Sequence, residues 1–232
     1  MISFVIPTLN EVSNIDLTVE KIKKSFTDSS DYEIIFVDDK SIDGTMEKIW
    51  ILSKEYNNIN YCVPEKRLGL GNALSLGQKK SKGDFIFFLD CDNSINISNL
   101  IKLKNAKKDN TLVIGSRYLK ESKINGVNNL RIFLSRSLNF LVSNYLKIPA
   151  IDISHSCRIF PNSLHLKTNN FKHPIFFWEH SLYCVNKGLN IIEIPIEFDE
   201  RKSGKSKNSF FSLFKNIFYA FISILKLKFK YK

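Results

Sequence analysis

Residues 85–92 read Phe-Ile-Phe-Phe-Leu-Asp-Cys-Asp, a run of five apolar residues followed by an acidic turn. Successive side chains of a strand point to opposite faces, so an unbroken apolar run predicts a strand whose two faces are both covered. Residues 34–39 repeat the pattern as Ile-Ile-Phe-Val-Asp-Asp. Both stretches are therefore expected in the middle of a sheet that helices cover on each side.

Short apolar runs alternate with helical patterns along the chain, which is typical of a mostly parallel α/β sheet. Strands are predicted at Ser3–Ile6, Glu33–Val37, Asn60–Val63, Phe85–Leu89, Thr111–Ile114 and Ile191–Ile196. Helices are predicted at Asn14–Phe26, Gly44–Tyr56, Gly69–Lys80, Ile97–Lys107, Leu130–Leu146 and Ile175–Lys187. Because such sheets bind ligands outside the carboxyl ends of their strands, we expect residues 7–11, 38–39 and 90–92 to meet at one edge.

The composition excludes several classes of protein. The 232 residues are 44% hydrophobic and 25% charged, unlike a disordered chain or a disulfide scaffold. Residues 201–232 hold nine Lys or Arg and no Asp or Glu. Residues 1–200 therefore carry 25 basic and 23 acidic side chains. This nearly neutral charge argues against a nucleic-acid binder. The four cysteines lack metal-ligand spacing, which predicts free thiols in a reducing compartment. Residues 1–7 lack the basic and long apolar regions of a signal peptide, so secretion is not expected.

The acidic turn Asp90-Cys91-Asp92 is the first candidate site. Mg²⁺ takes oxygen ligands and commonly combines one or two carboxylates with substrate phosphates and water. An Asp-x-Asp at a strand end therefore suits a diphosphate bound through Mg²⁺ or Mn²⁺. The alternative is a solvated turn, since Asp is common after strands. Asp39 is placed to accept hydrogen bonds from a ribose or a base, whereas Asp43 is expected to cap the next helix.

Gly69-Leu70-Gly71 resembles half of a dinucleotide-binding fingerprint. No strand runs directly into it, and the next glycine, Gly77, comes six residues after Gly71. The spacing disfavours a dinucleotide site and favours a flexible turn that opens a helix.

Residues 130–146 combine a polar stripe with an apolar face. Arg131 and Ser135 lie four residues apart and share one face of the predicted helix. The other side is apolar through Leu130, Phe133, Leu134, Leu138, Leu141 and Tyr145. This arrangement suits a lipid phosphate, and the alternative is an amphipathic helix that covers the sheet and exposes its arginines.

The C-terminal tail, residues 209–232, is predicted as a unit separate from the domain at 1–208. Its polar residues recur at steps of three and four and form one stripe: Ser212, Asn216, Tyr219, Ser223, Lys226 and Lys230. A basic amphipathic helix of this kind is typical of a membrane interface. A helix packed on the same chain and a tilted membrane span are the alternatives.

Taken together, these segments resemble family 2 glycosyltransferases of the GT-A fold, in the branch of the dolichol-phosphate mannose synthases and polyprenyl-phosphate glycosyltransferases. The resemblance covers residues 2–207. Its motifs are Val5–Glu11, Val37–Thr45, Lys66–Ala73, Phe88–Asp92, Ile114–Tyr118, Ser135-Arg136, Glu193–Arg201 and Gly204–Lys207. The resemblance implies an inverting transfer of a sugar from GDP-mannose or a UDP-hexose to a polyprenyl phosphate. The enzyme would act peripherally on the cytoplasmic face of a membrane and would need Mg²⁺ or Mn²⁺.

The resemblance also implies roles for individual residues. The nucleoside pocket would be lined by Pro7, Leu9, Glu11, Val37 and Asp39. The diphosphate would be held through the metal by Asp90, Cys91 and Asp92, of which Asp90 and Asp92 are the ligands. Arg201 and Lys207 would close over the donor phosphates, and the acceptor phosphate would be received by Arg117, Arg131 and Ser135.

Three positions depart from the family pattern. Leu9 stands where an aromatic residue is usual, and Ser94 stands where some relatives place a glutamine that ligates the metal. His155 stands where the family usually has glycine, and it is expected to pack rather than to touch the acceptor.

Two other functions remain open. A glycosyltransferase acting on a saccharide hydroxyl would need a general base, which an anionic phosphate acceptor does not. A membrane-binding module with a nucleotide pocket but no turnover is the alternative of another class.

Overall fold

The computed structural model describes residues 1–92, 94–164, 175–200, 224 and 227. Within these residues, a main sheet has seven strands. They are β1 (Ile2–Thr8), β2 (Tyr32–Asp38), β3 (Ile59–Cys62), β4 (Phe85–Phe88), β5 (Thr111–Ser116), β7 (Arg158–Pro161) and β8 (Asn190–Pro195). A two-stranded ribbon of β6 (Lys123–Asn125) and β9 (Glu197–Asp199) lies beside it.

The main sheet is mostly parallel, as predicted. Its order is β3-β2-β1-β4-β7-β5-β8, and the first four strands in that order are parallel to one another. Strand β7 runs antiparallel to both β4 and β5, and β8 is again parallel to β5. The six predicted strands are confirmed. Strands β6, β7 and β9 were missed because each is only three or four residues long and carries polar residues or a proline.

All six predicted helices are confirmed, with ends that move by at most two residues. They are α1 (Ile15–Lys24), α2 (Thr45–Glu55), α3 (Leu70–Lys80), α4 (Ile97–Ala106), α5 (Asn129–Leu146) and α6 (Ile175–Asn186). No helix in the described part of the chain is both long enough and apolar enough to cross a membrane.

The central strands are buried on both faces, which is the reason for their unbroken apolar runs. Phe4 and Phe87 face the layer that contains α1, α2 and α4, and their rings stack with centroids 4.8 Å apart. Val5 and Phe88 face the opposite layer, which contains α3 and α6. The alternation along β1 and β4 therefore builds two apolar cores around one sheet.

Gly77 has a packing role rather than a nucleotide-binding one. A Cβ placed on Gly77 would lie 2.3 Å from Val5 Cγ1 and 2.9 Å from Val37 Cγ2. Helix α3 thus lies so close to the sheet that only glycine fits between them.

A third apolar cluster joins α5 to α6. It contains Val142 and Leu146 of α5 and Trp178 of α6. Ile224 and Leu227, the only residues of the predicted tail that the structure describes, pack against it, and Leu227 is fully buried. This contact is the one expected if the tail packs on its own chain, while the rest of the tail lies outside the described residues.

Candidate active site

The predicted meeting of strand ends is confirmed. Strands β1, β2 and β4 are parallel neighbours, and Thr8 at the end of β1 pairs with Asp38 at the end of β2. The N–H of Asp39 then donates to the carbonyl of Thr8 at 2.9 Å. The loops that follow these three strands therefore leave the sheet at the same edge.

Side-chain hydrogen bonds join the first two of these loops. The N–H of Asn10 donates to Ser41 Oγ at 2.9 Å, and Asn10 Oδ1 accepts from the N–H of Ile42 at 3.0 Å. The N–H of Glu11 donates to Thr45 Oγ1 at 2.9 Å. Residues 10–11 and 41–45 consequently form one wall, beside the place expected for a nucleoside.

Asp43 has the capping role predicted for it. Its Oδ1 accepts from the N–H of Thr45, the first residue of α2, at 3.0 Å. Its Oδ2 accepts from the N–H of Val12 at 3.2 Å, which adds a further connection between the two loops. Burial opposes the charged form of this carboxylate, but the hydrogen bonds from Thr45 and Val12 outweigh it and lower its pKa.

Asp39 connects the wall to the next helix. Its carboxylate accepts from the N–H of Leu68 at 2.6 Å and from the N–H of Gly69 at 3.0 Å, immediately before α3. The Gly69 turn is therefore the start of a helix, as predicted. A carboxylate has more acceptor sites than these two bonds use, so a hydrogen bond from a ribose hydroxyl to Asp39 stays a prediction.

The other residues predicted for the nucleoside pocket differ in exposure. Pro7, Leu9 and Glu11 are partly exposed at this edge, and Glu11 Oε2 accepts from Asn14 Nδ2 at 2.7 Å. Val37 is fully buried and packs beneath α3. The Val37 side chain thus shapes the floor of the site from inside the core.

The acidic turn places two carboxylates around a buried thiol. Asp90 Oδ2 accepts from Ser156 Oγ at 2.5 Å, and Asp92 Oδ1 accepts from Ser94 Oγ at 2.6 Å and from the N–H of Ser94 at 3.1 Å. Ser94, which replaces the glutamine of some relatives, thus holds the second carboxylate. Cys91 is buried against Thr18, and burial raises the pKa of its thiol to about 12. Cys91 therefore faces the core beside α1.

This donor set fits a hard divalent cation. Carboxylate oxygens are the ligands that Mg²⁺ and Mn²⁺ prefer, and the Cys91 side chain is buried against Thr18. In the described part of the chain, no three His, Cys, Asp or Glu side chains are grouped closely enough to hold a metal ion. Asp90 and Asp92 would supply at most part of a metal's coordination shell, and a substrate diphosphate and water would have to complete it.

Arg117 lies on the other side of the site in a buried ion pair. Its Nε and Nη2 donate to the two carboxylate oxygens of Asp152, each at 2.8 Å. Asp152 is fully buried, and the Arg117 side chain is 18% exposed. Burial works against both charges, but each partner outweighs it, so the pKa of Arg117 is raised and the pKa of Asp152 is lowered. Both groups are charged at neutral pH.

Helix α5 brings the other two predicted acceptor residues to this side. Ser135 Oγ accepts from Tyr118 Oη at 2.6 Å, so the residue that follows Arg117 contacts Ser135 directly. Arg131 lies one turn earlier and is exposed, with its Nη1 3.4 Å from Glu200 Oε1. The structure therefore places Arg117, Ser135 and Arg131 along one side of the site.

Residues 152–158 contribute contacts that the sequence reading missed. Asp152 binds Arg117, Ser154 Oγ accepts from Arg117 Nη2 at 3.1 Å, and Ser156 binds Asp90. Polar residues at 152, 154, 156 and 158 alternate with others, and this period of two was the available signal. His155 packs as predicted: it is 5% exposed, its ring contacts Phe198, and burial lowers its pKa to about 3. Arg201 and Lys207 lie outside the described residues.

Comparison with known proteins agrees with this geometry. The sequence pattern of glycosyl transferase family 2 matches residues 3–167, more than half of the chain. The chain belongs to glycosyl transferase family 2. A dolichol-phosphate mannosyltransferase of Pyrococcus furiosus is 28% identical over 215 residues, which are 89% of this chain and 58% of that protein. An undecaprenyl-phosphate mannosyltransferase of Micrococcus luteus is 27% identical over 212 residues, which are 88% of this chain and 86% of that protein.

These similarities confirm the predicted family and the branch that resembles polyprenyl-phosphate glycosyltransferases. The chain nevertheless spans less than two thirds of the length of the Pyrococcus protein. A solved mannosyltransferase from Pyrobaculum calidifontis, in complex with GDP-mannose and Mn²⁺, has a TM-score of 0.66 at 16% identity and covers 99% of this chain and 64% of that one. At this identity the likeness shows the fold, and it confirms the predicted GT-A architecture.

Proposed function

We propose that this glycosyltransferase moves a sugar, with inversion, from a nucleoside diphosphate sugar to a polyprenyl phosphate at the cytoplasmic surface of a membrane. The observation that carries the proposal is the arrangement of the site. A carboxylate pair suited to a metal lies on one side, and a group of arginines lies on the other, on and beside a helix with an exposed apolar face.

The donor side supports a nucleoside diphosphate. Asp90 and Asp92 would hold Mg²⁺ or Mn²⁺, which when bound would neutralise charge that develops on the leaving diphosphate. The wall formed by residues 10–11 and 41–45 would orient the nucleoside, with Asp39 at its inner end. By resemblance to the family, Arg201 and Lys207 would add positive charge over the same phosphates.

The acceptor side supports a phosphate rather than a hydroxyl. A phosphate monoester has a second pKa of about 6 and is already anionic at neutral pH, so it needs orientation and not a general base. Arg117 donates hydrogen bonds from Nε and Nη2 to Asp152 and Ser154. Among the described residues, its Nη1 has no hydrogen-bond acceptor. Among the described residues, Arg131 is held by one solvent-exposed ion pair, which a phosphate can replace at little cost.

Helix α5 supports a lipid acceptor. Its large exposed apolar side chains are Leu130 (57% exposed), Phe133 (66%), Leu134 (39%), Phe140 (63%), Leu141 (64%) and Tyr145 (40%). Arg131 and Arg136 of the same helix are exposed beside them. An apolar surface with basic residues beside it is typical of binding to an anionic membrane. The free cysteines Cys62, Cys91, Cys157 and Cys184 are consistent with the cytoplasmic side.

The test is transfer of labelled sugar from GDP- and UDP-sugars to polyprenyl phosphate in the presence of Mg²⁺ or Mn²⁺. Asp92→Asn keeps the size of the side chain and removes its charge. We expect it to lower kcat at least 100-fold, as removal of electrostatic stabilisation does in other enzymes. Asp84→Asn is the matched control, because Asp84 is an exposed aspartate at the amino end of β4. Transfer to saccharide hydroxyls but not to the lipid would refute the proposed acceptor, and absence of donor binding would refute the activity.

A further inference from the structure

Residues 152–158, here called the bridging segment, contact both sides of the site. Asp152 and Ser154 bind Arg117 on the acceptor side, and Ser156 binds Asp90 on the donor side. Only His155 separates Ser154 from Ser156 in the sequence. The distance between the donor carboxylate and the acceptor arginine therefore depends on the conformation of one short piece of backbone.

Both ends of the bridging segment are anchored. At its start, Glu193 of β8 accepts from the N–H of Ile151 at 2.7 Å and from the N–H of Asp152 at 2.8 Å. At its end, the fully buried Arg158 donates back to the carbonyls of Ile153 at 3.1 Å and of His155 at 2.6 Å.

Arg158 also connects the bridging segment to α6. Its Nη1 lies 3.2 Å from the carbonyl of Phe177, from Ser181 Oγ and from His180 Nδ1. Its acceptors among the described residues are carbonyls, a hydroxyl and a ring nitrogen, so the guanidinium shapes the segment and does not pair with a carboxylate. A buried group with several hydrogen bonds of this kind favours one conformation.

The two serines inside the segment have different partners. Ser154 Oγ accepts from Arg117 Nη2 and, at 3.0 Å, from Asn139 Nδ2 of α5. Asn139 Oδ1 in turn accepts from the N–H of Ser154 at 3.0 Å. Ser154 thus connects Arg117 to the helix that carries Arg131 and Ser135.

Ser156 contacts the acidic turn instead. Its Oγ donates to Asp90 Oδ2 at 2.5 Å, a short bond of the kind that ionised acceptors form. Ser154 and Ser156 are nearly equally buried, at 6% and 7% exposure. They are therefore matched positions whose side chains differ chiefly in what they contact.

We propose that the bridging segment positions the donor-side carboxylate and the acceptor-side arginine relative to each other, with Ser156 orienting Asp90 and Ser154 orienting Arg117. Both serines are positioning residues, because neither needs to touch substrate. The proposal rests on the proposed function, in which Asp90 helps to bind the metal and Arg117 binds the acceptor phosphate. It adds that the two sides are tuned separately, by two hydroxyls of one segment.

The experiment compares Ser156→Ala with Ser154→Ala in the full chain. Mn²⁺ binding is measured by electron paramagnetic resonance with GDP and with UDP present, and KM for polyprenyl phosphate is measured separately. Ser156→Ala should weaken Mn²⁺ binding about 10- to 100-fold, the usual effect of losing a partner of a metal ligand, and should leave KM for the lipid unchanged. Ser154→Ala should raise KM for the lipid several-fold and leave Mn²⁺ binding unchanged.

Conservative variants separate positioning from general damage. Ser156→Thr and Ser154→Thr keep the hydroxyl and should restore most of each lost property. If an alanine variant does not fold, Ser156→Cys or Ser154→Cys replaces it, because a thiol keeps the volume and is a weaker donor. A lowered melting temperature with both binding properties unchanged would overturn the proposal, as would equal shifts of the same property by both serines.

The outcomes also distinguish this inference from the proposed function. Wild-type transfer to polyprenyl phosphate together with wild-type Mn²⁺ binding by Ser156→Ala would overturn the inference alone. Absence of wild-type transfer would overturn the proposed acceptor and the part assigned to Ser154, while the Mn²⁺ measurement would still decide the part assigned to Ser156.

Discussion

The donor half of the site (residues 7–11, 38–45 and 90–92) and the acceptor half (residues 117–118, 129–146 and 152–158) are built from different interactions. In the donor half, carboxylates such as Asp39 and Asp92 are held by backbone N–H groups and small hydroxyls at the ends of parallel strands. In the acceptor half, Arg117 pairs with the buried carboxylate of Asp152. Arg158 donates hydrogen bonds within the loop that carries Asp152. The donor half thus depends on close backbone packing, whereas the acceptor half depends on buried charge.

The largest expected effect on stability comes from breaking the buried ion pair of the acceptor half. Arg117→Ala would leave Asp152 fully buried without its ion-pair partner, and such a loss destabilises a protein by about 3–5 kcal/mol. Arg131→Ala removes an exposed pair with Glu200, and we expect a cost below about 1 kcal/mol. Urea unfolding of the two variants measures both values. Similar costs for the two variants would show that burial does not distinguish these arginines.

The donor half should respond to a single added methyl group. Gly77→Ala would place a carbon 2.3 Å from Val5 Cγ1 and so push α3 away from β1 and β2. Overpacking of this kind costs about 1–3 kcal/mol, and it should also weaken donor binding because α3 begins at the turn held by Asp39. Lys79→Ala, an exposed position in the same helix, is the control and should change stability little. Unfolding in urea and donor titration test both expectations.

The donor half was predictable because its signals are local. Each strand that ends there is apolar on both faces, and the acids follow it directly in sequence, so strand direction alone brings Asp39 and Asp90 to one edge. The exposure of Arg131 on α5 was likewise available from helical spacing. Spacing did not predict that the carboxylate of Asp39 accepts hydrogen bonds from the N–H groups of Leu68 and Gly69.

The acceptor half was less predictable because its contacts join distant parts of the chain. Arg117 and Asp152 are 35 residues apart, and Asp90 and Ser156 are 66 apart, so no local pattern pairs them. Strand β7 was missed for a related reason. Its first residue is Arg158, whose burial depends on acceptors from α6 that propensity does not reveal.

Buried histidine should make the stability of the folded chain sensitive to acid. His180 is buried beside Arg158, and burial first and that charge second hold its pKa well below the ordinary 6.5. Below pH 6.5 the unfolded chain therefore binds a proton that the folded chain does not, so the free energy of unfolding falls as pH falls, by about 1.4 kcal/mol per pH unit for this group. His155, with its pKa lowered to about 3 chiefly by burial, adds a dependence of the same sign.

The comparison of two variants isolates this contribution. His180→Gln has no titrating ring, so its stability should fall less steeply between pH 6.5 and 5.5 than that of the wild type. Urea midpoints at the two pH values give the slopes. Parallel slopes for the two proteins would show that His180 becomes protonated in the folded state.

The smallest expected effect concerns the exposed face of α5, where the acceptor half should lose function without losing stability. Phe133 and Phe140 are 66% and 63% exposed, so changing either to serine removes little burial from the folded chain and should leave the urea midpoint nearly unchanged. Partial insertion of one such ring into a membrane contributes about 1 kcal/mol, so each change should weaken binding to anionic vesicles about fivefold. Trp50→Ser is the control, because Trp50 is 49% exposed on α2. If Trp50→Ser reduces vesicle binding as much as Phe133→Ser does, then exposed aromatic area anywhere on the surface suffices and α5 does not face the membrane. If only the α5 changes act, the helix that carries Arg131 and Ser135 is also the one that meets the lipid.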